Sequence, residues 1–181
     1  MTEVFGSVES IGVARAKPGH VLCSGKKFKR DDLLEEANAR HQIHEGQASS
    51  RPLSLDYELL GIGGEIQGET DFSLKRDARL LVHGDGRIDF YLPDGRSGDW
   101  KVARKAYNLL MESDKPHADI LVAGLWREDE FHWVWVEWLG WEYRDELLKV
   151  EPKDFGYGVI NHYRAVENLR PMSEFVSLAK G

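Results

Sequence analysis

The chain has 181 residues, 41% of them hydrophobic and 30% charged. One globular domain of that size buries roughly 70% of its unfolded surface and needs no staple to fold. Lys and Arg number 24 against 31 Asp and Glu, a net charge of −7. That argues against nucleic-acid binding across the whole surface, but leaves room for a local basic groove or a carboxylate cluster that needs a metal before it meets phosphate. No apolar run approaches the ~18 residues of a membrane span, and residues 1–20 lack the apolar core of a signal peptide. Cys23 is the only cysteine, which excludes an internal disulfide and a cysteine-rich zinc site and makes a reducing, cytoplasmic setting the expectation.

Residues 1–30 show little periodicity and read as an irregular N-terminal arm. Its basic run, Lys26-Lys27-Phe28-Lys29-Arg30, is a solvated surface segment or, alternatively, an arm that touches phosphate. Asp31 or Asp32 caps a helix that runs to about Gly46 on Leu33, Leu34, Ala37 and Ile43. His41 and His44 share a face on it but have no third ligand nearby, so they read as surface or packing residues. Tyr57 to Thr70 reads as a second helix, although Gly61, Gly63, Gly64 and Gly68 each cost about 1 kcal/mol relative to Ala. Close packing against another element would offset that cost.

The middle of the chain is strand-rich. Leu80-Leu81-Val82 is a short apolar run. Arg87–Leu92 and Gly98–Ala103 flank the turn Pro93-Asp94-Gly95 as a hairpin. Lys105–Glu112 reads as a turn or short helix. Ala118–Leu125 and Phe131–Leu139 are buried strands, and Glu142–Val150 is a short helix or turn. The tail from Glu151 is irregular up to a last helix near Ser173–Ala179. This order fits one α+β domain built on a mixed sheet, with a core over 57–139 and a C-terminal extension over 151–181.

The hairpin carries the chemistry. Alternation puts Asp99 and Lys101 on one face of their strand and Trp100 on the other, toward a core. With Asp94-Gly95-Arg96 as a three-residue loop, Asp89 lies opposite Lys101 and diagonal to Asp99, and all three converge. A two-residue loop would turn Asp89 away. Two adjacent carboxylates repel unless a cation sits between them. Mg²⁺ takes hard oxygen ligands and commonly binds through one or two carboxylates plus water and phosphate. Such a site suits metal-assisted phosphodiester hydrolysis, with Lys101 steadying the transition-state charge or orienting water. The plainer reading of an Asp-x-Lys strand is a solvated face with a surface ion pair.

The wider pattern resembles the PD-(D/E)xK nuclease superfamily over residues 57–125. Asp89 matches the first acid of its motif and Asp99-Trp100-Lys101 the second half. Gly84-Asp85-Gly86-Arg87-Ile88-Asp89-Phe90 is similar to the glycine-rich approach to the first acid, and Gly61-Ile62-Gly63-Gly64-Glu65-Ile66 to the first core helix. Ile88 stands where the family has its proline, and Trp100 where an aliphatic residue is usual. The resemblance implies a restriction-endonuclease-like core, a central mixed β-sheet flanked by helices, acting as an Mg²⁺-dependent deoxyribonuclease with Mn²⁺ as substitute. It implies Asp89, Asp99 and Glu65 as metal ligands, Lys101 as the charged catalytic partner, and helix glycines that permit close approach to the sheet. The alternative on the same fold is a catalytically inactive DNA-binding or assembly module.

Other residues complete the expectations. Arg104 and Lys105, just past the motif, are candidate phosphate contacts. So are His162 and Arg164, at the end of the aromatic, glycine-rich stretch that starts at Phe155. His83 and Asp85 lie near enough in sequence to line the same cleft, whereas Asp71 and Asp77 read as surface. Trp133 and Trp135 share a strand face and read as core or a dimer interface rather than as base-stacking residues. With DNA as partner and so acidic a chain, contact is expected to be local, with a homodimer as one way to build the groove. A protein-interaction module with an exposed Trp-rich strand is the third reading.

Overall fold

The computed structural model describes residues 4–6, 16–17, 19–44, 54–76, 88–156 and 158–181. Three short strands, β1 (Val4–Gly6), β2 (Val21–Cys23) and β3 (Phe28–Lys29), precede helices α1 (Arg30–His44) and α2 (Leu55–Phe72). Then come β4 (Phe90–Tyr91), β5 (Ser97–Ala103), β6 (Asn108–Glu112), β7 (Ile120–Glu128) and β8 (Trp133–Tyr143). The short helix α3 (Arg144–Leu147), strands β9 (Lys153–Asp154) and β10 (Ile160–Ala165), and helix α4 (Met172–Lys180) close the chain. The class is α+β, with a mixed sheet flanked by helices.

The main sheet runs β1-β2-β8-β7-β5-β4, with β3 also beside β8. Among the described residues only β5 and β7 pair in parallel. Their crossover, residues 104–119, carries β6, which with β10 and β9 forms a second sheet. Three expectations are corrected here. Residues 1–30 are not simply an arm, because β1, β2 and β3 extend the main sheet. Residues 108–112 are a strand rather than a turn or short helix, and the tail after Glu151 holds β9 and β10. Each of these strands is only two to six residues long. Their pairing partners lie far along the chain, as with Leu22 opposite Trp138, so local periodicity carries little signal. The expected strand at Leu80–Val82 lies outside the described residues.

Helix α2 is longer than the apolar stripe suggested. Ser54 caps its start, accepting from the Tyr57 N–H at 3.4 Å, and Ser73 ends it in the left-handed region. Gly63, Gly64 and Gly68 face the sheet, whereas a Cβ on Gly61 would meet nothing within 4 Å. A Cβ on Gly64 would come 2.6 Å from Val102 Cγ2, and one on Gly68 2.4 Å from Trp100 Cε2. Close approach of helix to sheet is thus what these glycines permit, and the buried contact offsets their low helix propensity. Trp100 lies in the core as alternation requires, stacked on Phe90 (4.2 Å) and Phe72 (5.5 Å) and near Trp138 and Phe175. Each such ring removes roughly 150–250 Å² from water, about 4–6 kcal/mol at 25 cal/mol per Å². On the other face of the sheet Leu121, Ala123 and Leu125 pack on Leu109 and Met111 of β6. A bulge in β8 opposite Ala123/Gly124 turns both Trp138 and Trp141 to the same side, although they are an odd number of residues apart. No helix among the described residues is long and apolar enough to cross a membrane.

Candidate active site

The β4–β5 turn decides the site. Its loop is Pro93-Asp94-Gly95, one residue earlier than the sequence reading placed it. Proline supplies the fixed φ that opens a turn, Gly95 takes φ +89°, and the Gly95 N–H donates to the Leu92 carbonyl at 2.9 Å. Leu92 then bonds across to Arg96 (2.8 Å), Tyr91 pairs with Ser97 and Phe90 with Gly98. Continued by one residue, that register sets Asp89 beside Asp99 rather than opposite Lys101, so the expected pairing is corrected. The convergence on one region remains.

Beyond Phe90 the partner strand ends, and the edge of β5 would present a bare Trp100 N–H. The Asp89 carboxylate takes the place of that strand: its Oδ2 accepts from the Trp100 N–H at 2.7 Å. At this edge Asp89 senses charges from both sides of the sheet. Burial pushes its pKa well above the ordinary 3.8, and the negative charges of Asp99 and Glu65 push it further, against the Trp100 N–H and Lys101. Asp99 itself is buried at 3% exposure, and Lys101 Nζ forms an ion pair with its Oδ2 at 2.5 Å. Both lie on the sheet face opposite Trp100.

Glu65 reaches the cluster from α2. Its two oxygens accept from Arg40 Nη1 and Nη2 of α1 at 2.6 and 2.5 Å, and Arg76 Nη1 stands 3.8 Å away. Arg76 also grips Glu36 with two hydrogen bonds of 2.8 and 3.0 Å. This Glu65–Arg40–Glu36–Arg76 network escaped the sequence reading. The one local signal was the i,i+4 spacing of Glu36 and Arg40, and nothing in the chain announced that α1 would lie against α2. Glu65 was expected to hold metal, but its oxygens are engaged by a guanidinium instead. Asp71, expected at the surface, lies within α2, where its carboxylate accepts from Trp138 Nε1 (2.9 Å) and Gln67 Nε2 (3.0 Å). Burial raises its pKa.

Among the described residues no set of three or more His, Cys, Asp or Glu side chains stands in metal-binding arrangement. Two carboxylates, Asp89 and Asp99, remain a donor set that suits Mg²⁺, which commonly uses one or two carboxylates with water. The mutual repulsion that lifts the Asp89 pKa is what a cation would relieve. A cleft of about 320 Å³ wraps the open edge of β5, lined by Tyr57, Gly61, Lys101, Lys105 and Asn108 among others.

The remaining candidates are more scattered. Lys105 lines the cleft. Arg104 is exposed and paired with Asp56 at 3.1 and 2.6 Å. Arg164 stands 3.1 Å from the buried Glu142, and His162 Nδ1 is 2.7 Å from the Val150 carbonyl, so both serve the β10 region. His83, Asp85 and Asp77 lie outside the described residues, as does the side chain of His44. Trp133 is 37% exposed, which removes it from the core.

The lifted Asp89 pKa has a stability consequence. A carboxyl whose folded pKa lies above its unfolded one holds a proton that the unfolded chain releases, so it lowers stability progressively as pH rises above about 3.9 toward the folded pKa. Asp89→Asn keeps an oxygen for the Trp100 N–H and removes the charge. In EDTA the variant is expected to melt above the parent at pH 8, with the gap closing toward pH 4. A gap that is constant or reversed would contradict the raised Asp89 pKa.

Compared with known proteins, the chain matches no family model, no curated protein and no solved structure. The functional reading therefore rests on the residues themselves.

Proposed function

We propose that this protein is a metal-dependent nuclease with a restriction-endonuclease-like core, cutting DNA phosphodiester bonds at the β4–β5 edge. The observation that carries the reading is the half-buried Asp89 beside the buried Asp99, neighbours across the hairpin, with Lys101 on Asp99 and a cleft alongside. Asp89 and Asp99 would hold Mg²⁺ or Mn²⁺, which supplies Lewis-acid polarisation of the phosphodiester and a bound water of lowered pKa. Lys101 lines the cleft and presents an ammonium to a phosphoryl oxygen, where negative charge develops in the transition state. Glu65, held by Arg40, adds to the effect of burial and of Asp99 in raising the Asp89 pKa. Asp89 must lose its proton to ligate a cation, so metal affinity is expected to climb with pH.

One observation favours the second reading, an inactive DNA-binding or assembly module. Arg40 and Arg76 already neutralise part of the acidic cluster from within. The two readings separate on supercoiled, linear and single-stranded DNA incubated with Mg²⁺ or Mn²⁺ and with EDTA, alongside calorimetric metal titration. Metal-dependent cutting is the expected result. No cutting on any substrate together with no metal binding would leave the inactive module.

A further inference from the structure

We propose that a single-stranded DNA segment enters the cleft along a track of alternating rings and cations on the same face of the sheet as Asp99 and Lys101. The proposal deepens the nuclease reading by naming the substrate class, and it rests on that reading for where the strand ends.

The face follows from register. Lys101 is beside Ala123 and Ala103 beside Leu125, while Arg127 lies opposite Trp135 and Lys29 opposite Trp133. Directly paired residues share a face, so Lys101, Arg127, Trp135, Trp133 and Lys29 all project to one side. Phe28 and Val134 project to the other, against α1 and α2. The second sheet covers the middle of this face over Leu121, Ala123 and Leu125 but stops short of the two tryptophans. From β5 through β7 and β8 to β3 is three strand spacings, about 14 Å.

What stands on that uncovered strip is unusual for a solvated sheet. Lys27 Nζ sits 4.2 Å over the Trp135 ring and Lys29 Nζ 5.0 Å over the Trp133 ring. Toward the cleft the same face carries Arg127, beside Trp135 and bonded to Glu137 at 2.8 Å. The rim itself holds Lys105 and the ring of Tyr57, 65% exposed. Rings at which bases stack, interleaved with ammonium groups that take phosphates, are the recognition chemistry of single strands. A duplex offers no exposed base faces, and a protein partner would not need the lysines on the rings. The anionic competitors on the strip are Asp129, which holds Lys27 at 3.1 Å, and Glu137, which holds Arg127 at 2.8 Å. The Lys27 contact is exposed and worth little, so a phosphate displaces it readily. The net charge of −7 does not oppose this reading, because the cations are gathered on one strip.

Binding is measured in EDTA, where no cutting occurs, by anisotropy of a labelled oligothymidylate of about 15 nucleotides, near the upper end of the ~4–16 bound by one compact single-strand-binding fold. A duplex and an oligouridylate of the same length are the other arms. The expected result is tighter binding of oligothymidylate than of duplex, weakened about tenfold by Trp133→Ala and again by Trp135→Ala. Lys29→Glu should flatten the salt dependence by at least about 0.7 in log–log slope, one phosphate contact. Melting curves equal to the parent's certify that the variants fold. Oligothymidylate bound no better than duplex, variants that bind like the parent, or binding confined to oligouridylate would each overturn the proposal. A chain that binds through these residues yet never cuts with metal ends the nuclease reading and keeps the track.

Discussion

Replacing Asp99 by asparagine is expected to abolish metal-dependent cleavage, by on the order of 10³-fold or more, while leaving the fold intact. Asp99 is one of two carboxylates that the hairpin brings together, and a divalent ion held by one carboxylate alone loses affinity and position together. A loss of 10³ corresponds to about 4 kcal/mol of transition-state stabilisation, within what metal-centred charge stabilisation supplies. The structural side of the substitution is mild. Asparagine keeps an oxygen toward Lys101, whose side chain is 32% exposed and so remains solvated. Removal of the Asp99 charge also takes away one of the repulsions that raise the Asp89 pKa. The melting temperature in EDTA is therefore expected to equal or exceed the parent's. Single-turnover cleavage and calorimetry on the same preparation check both halves. Activity retained in Asp99→Asn would remove this residue from the chemistry, and a collapsed melting temperature would make its role structural.

Arg40→Ala is expected to be the most destabilising single change at the site, at about 3–5 kcal/mol. Glu65 is 5% exposed and receives both guanidinium hydrogen bonds from Arg40. Truncating the arginine removes both of these short bonds from a buried carboxylate, with Arg76 standing 3.8 Å from it. For a chain of this size each kcal/mol moves the melting temperature by roughly 2–4 °C, so a drop of about 6–20 °C is the result to look for. Arg40→Lys should fall between, because an ammonium keeps the charge but not the two-pronged geometry. The double change Arg40→Met with Glu65→Leu should recover most of the loss, since a buried ion pair contributes little over well-packed apolar groups. A single Arg40→Ala variant that melts within a degree or two of the parent would show that Glu65 is not held as described.

By itself the sequence determined the features that depend on near neighbours. The apolar stripes of α1 and α2, the Pro-Asp-Gly turn, and the long strands β7 and β8 are all legible from periodicity and turn chemistry, whereas the caps are not: α1 starts at Arg30, ahead of Asp31 and Asp32, and Ser54 caps α2. So is the inward Trp100 with Asp99 and Lys101 on the opposite face, because alternation along a strand needs no knowledge of the rest of the chain. The tertiary structure alone decided three things. One was the place of Asp89: beyond the end of β4 its carboxylate takes the Trp100 N–H, beside Asp99 rather than opposite Lys101. Another was the fate of Glu65, whose partner lies 25 positions away on α1 and could be found only by packing the two helices. The last was the strip of lysines and tryptophans. β3 joins β8 across more than a hundred residues of chain, and two-residue strands hold no periodicity to read. Contacts made at long range depend on which surfaces meet, and that is fixed by the sum of the burial, not by any local pattern.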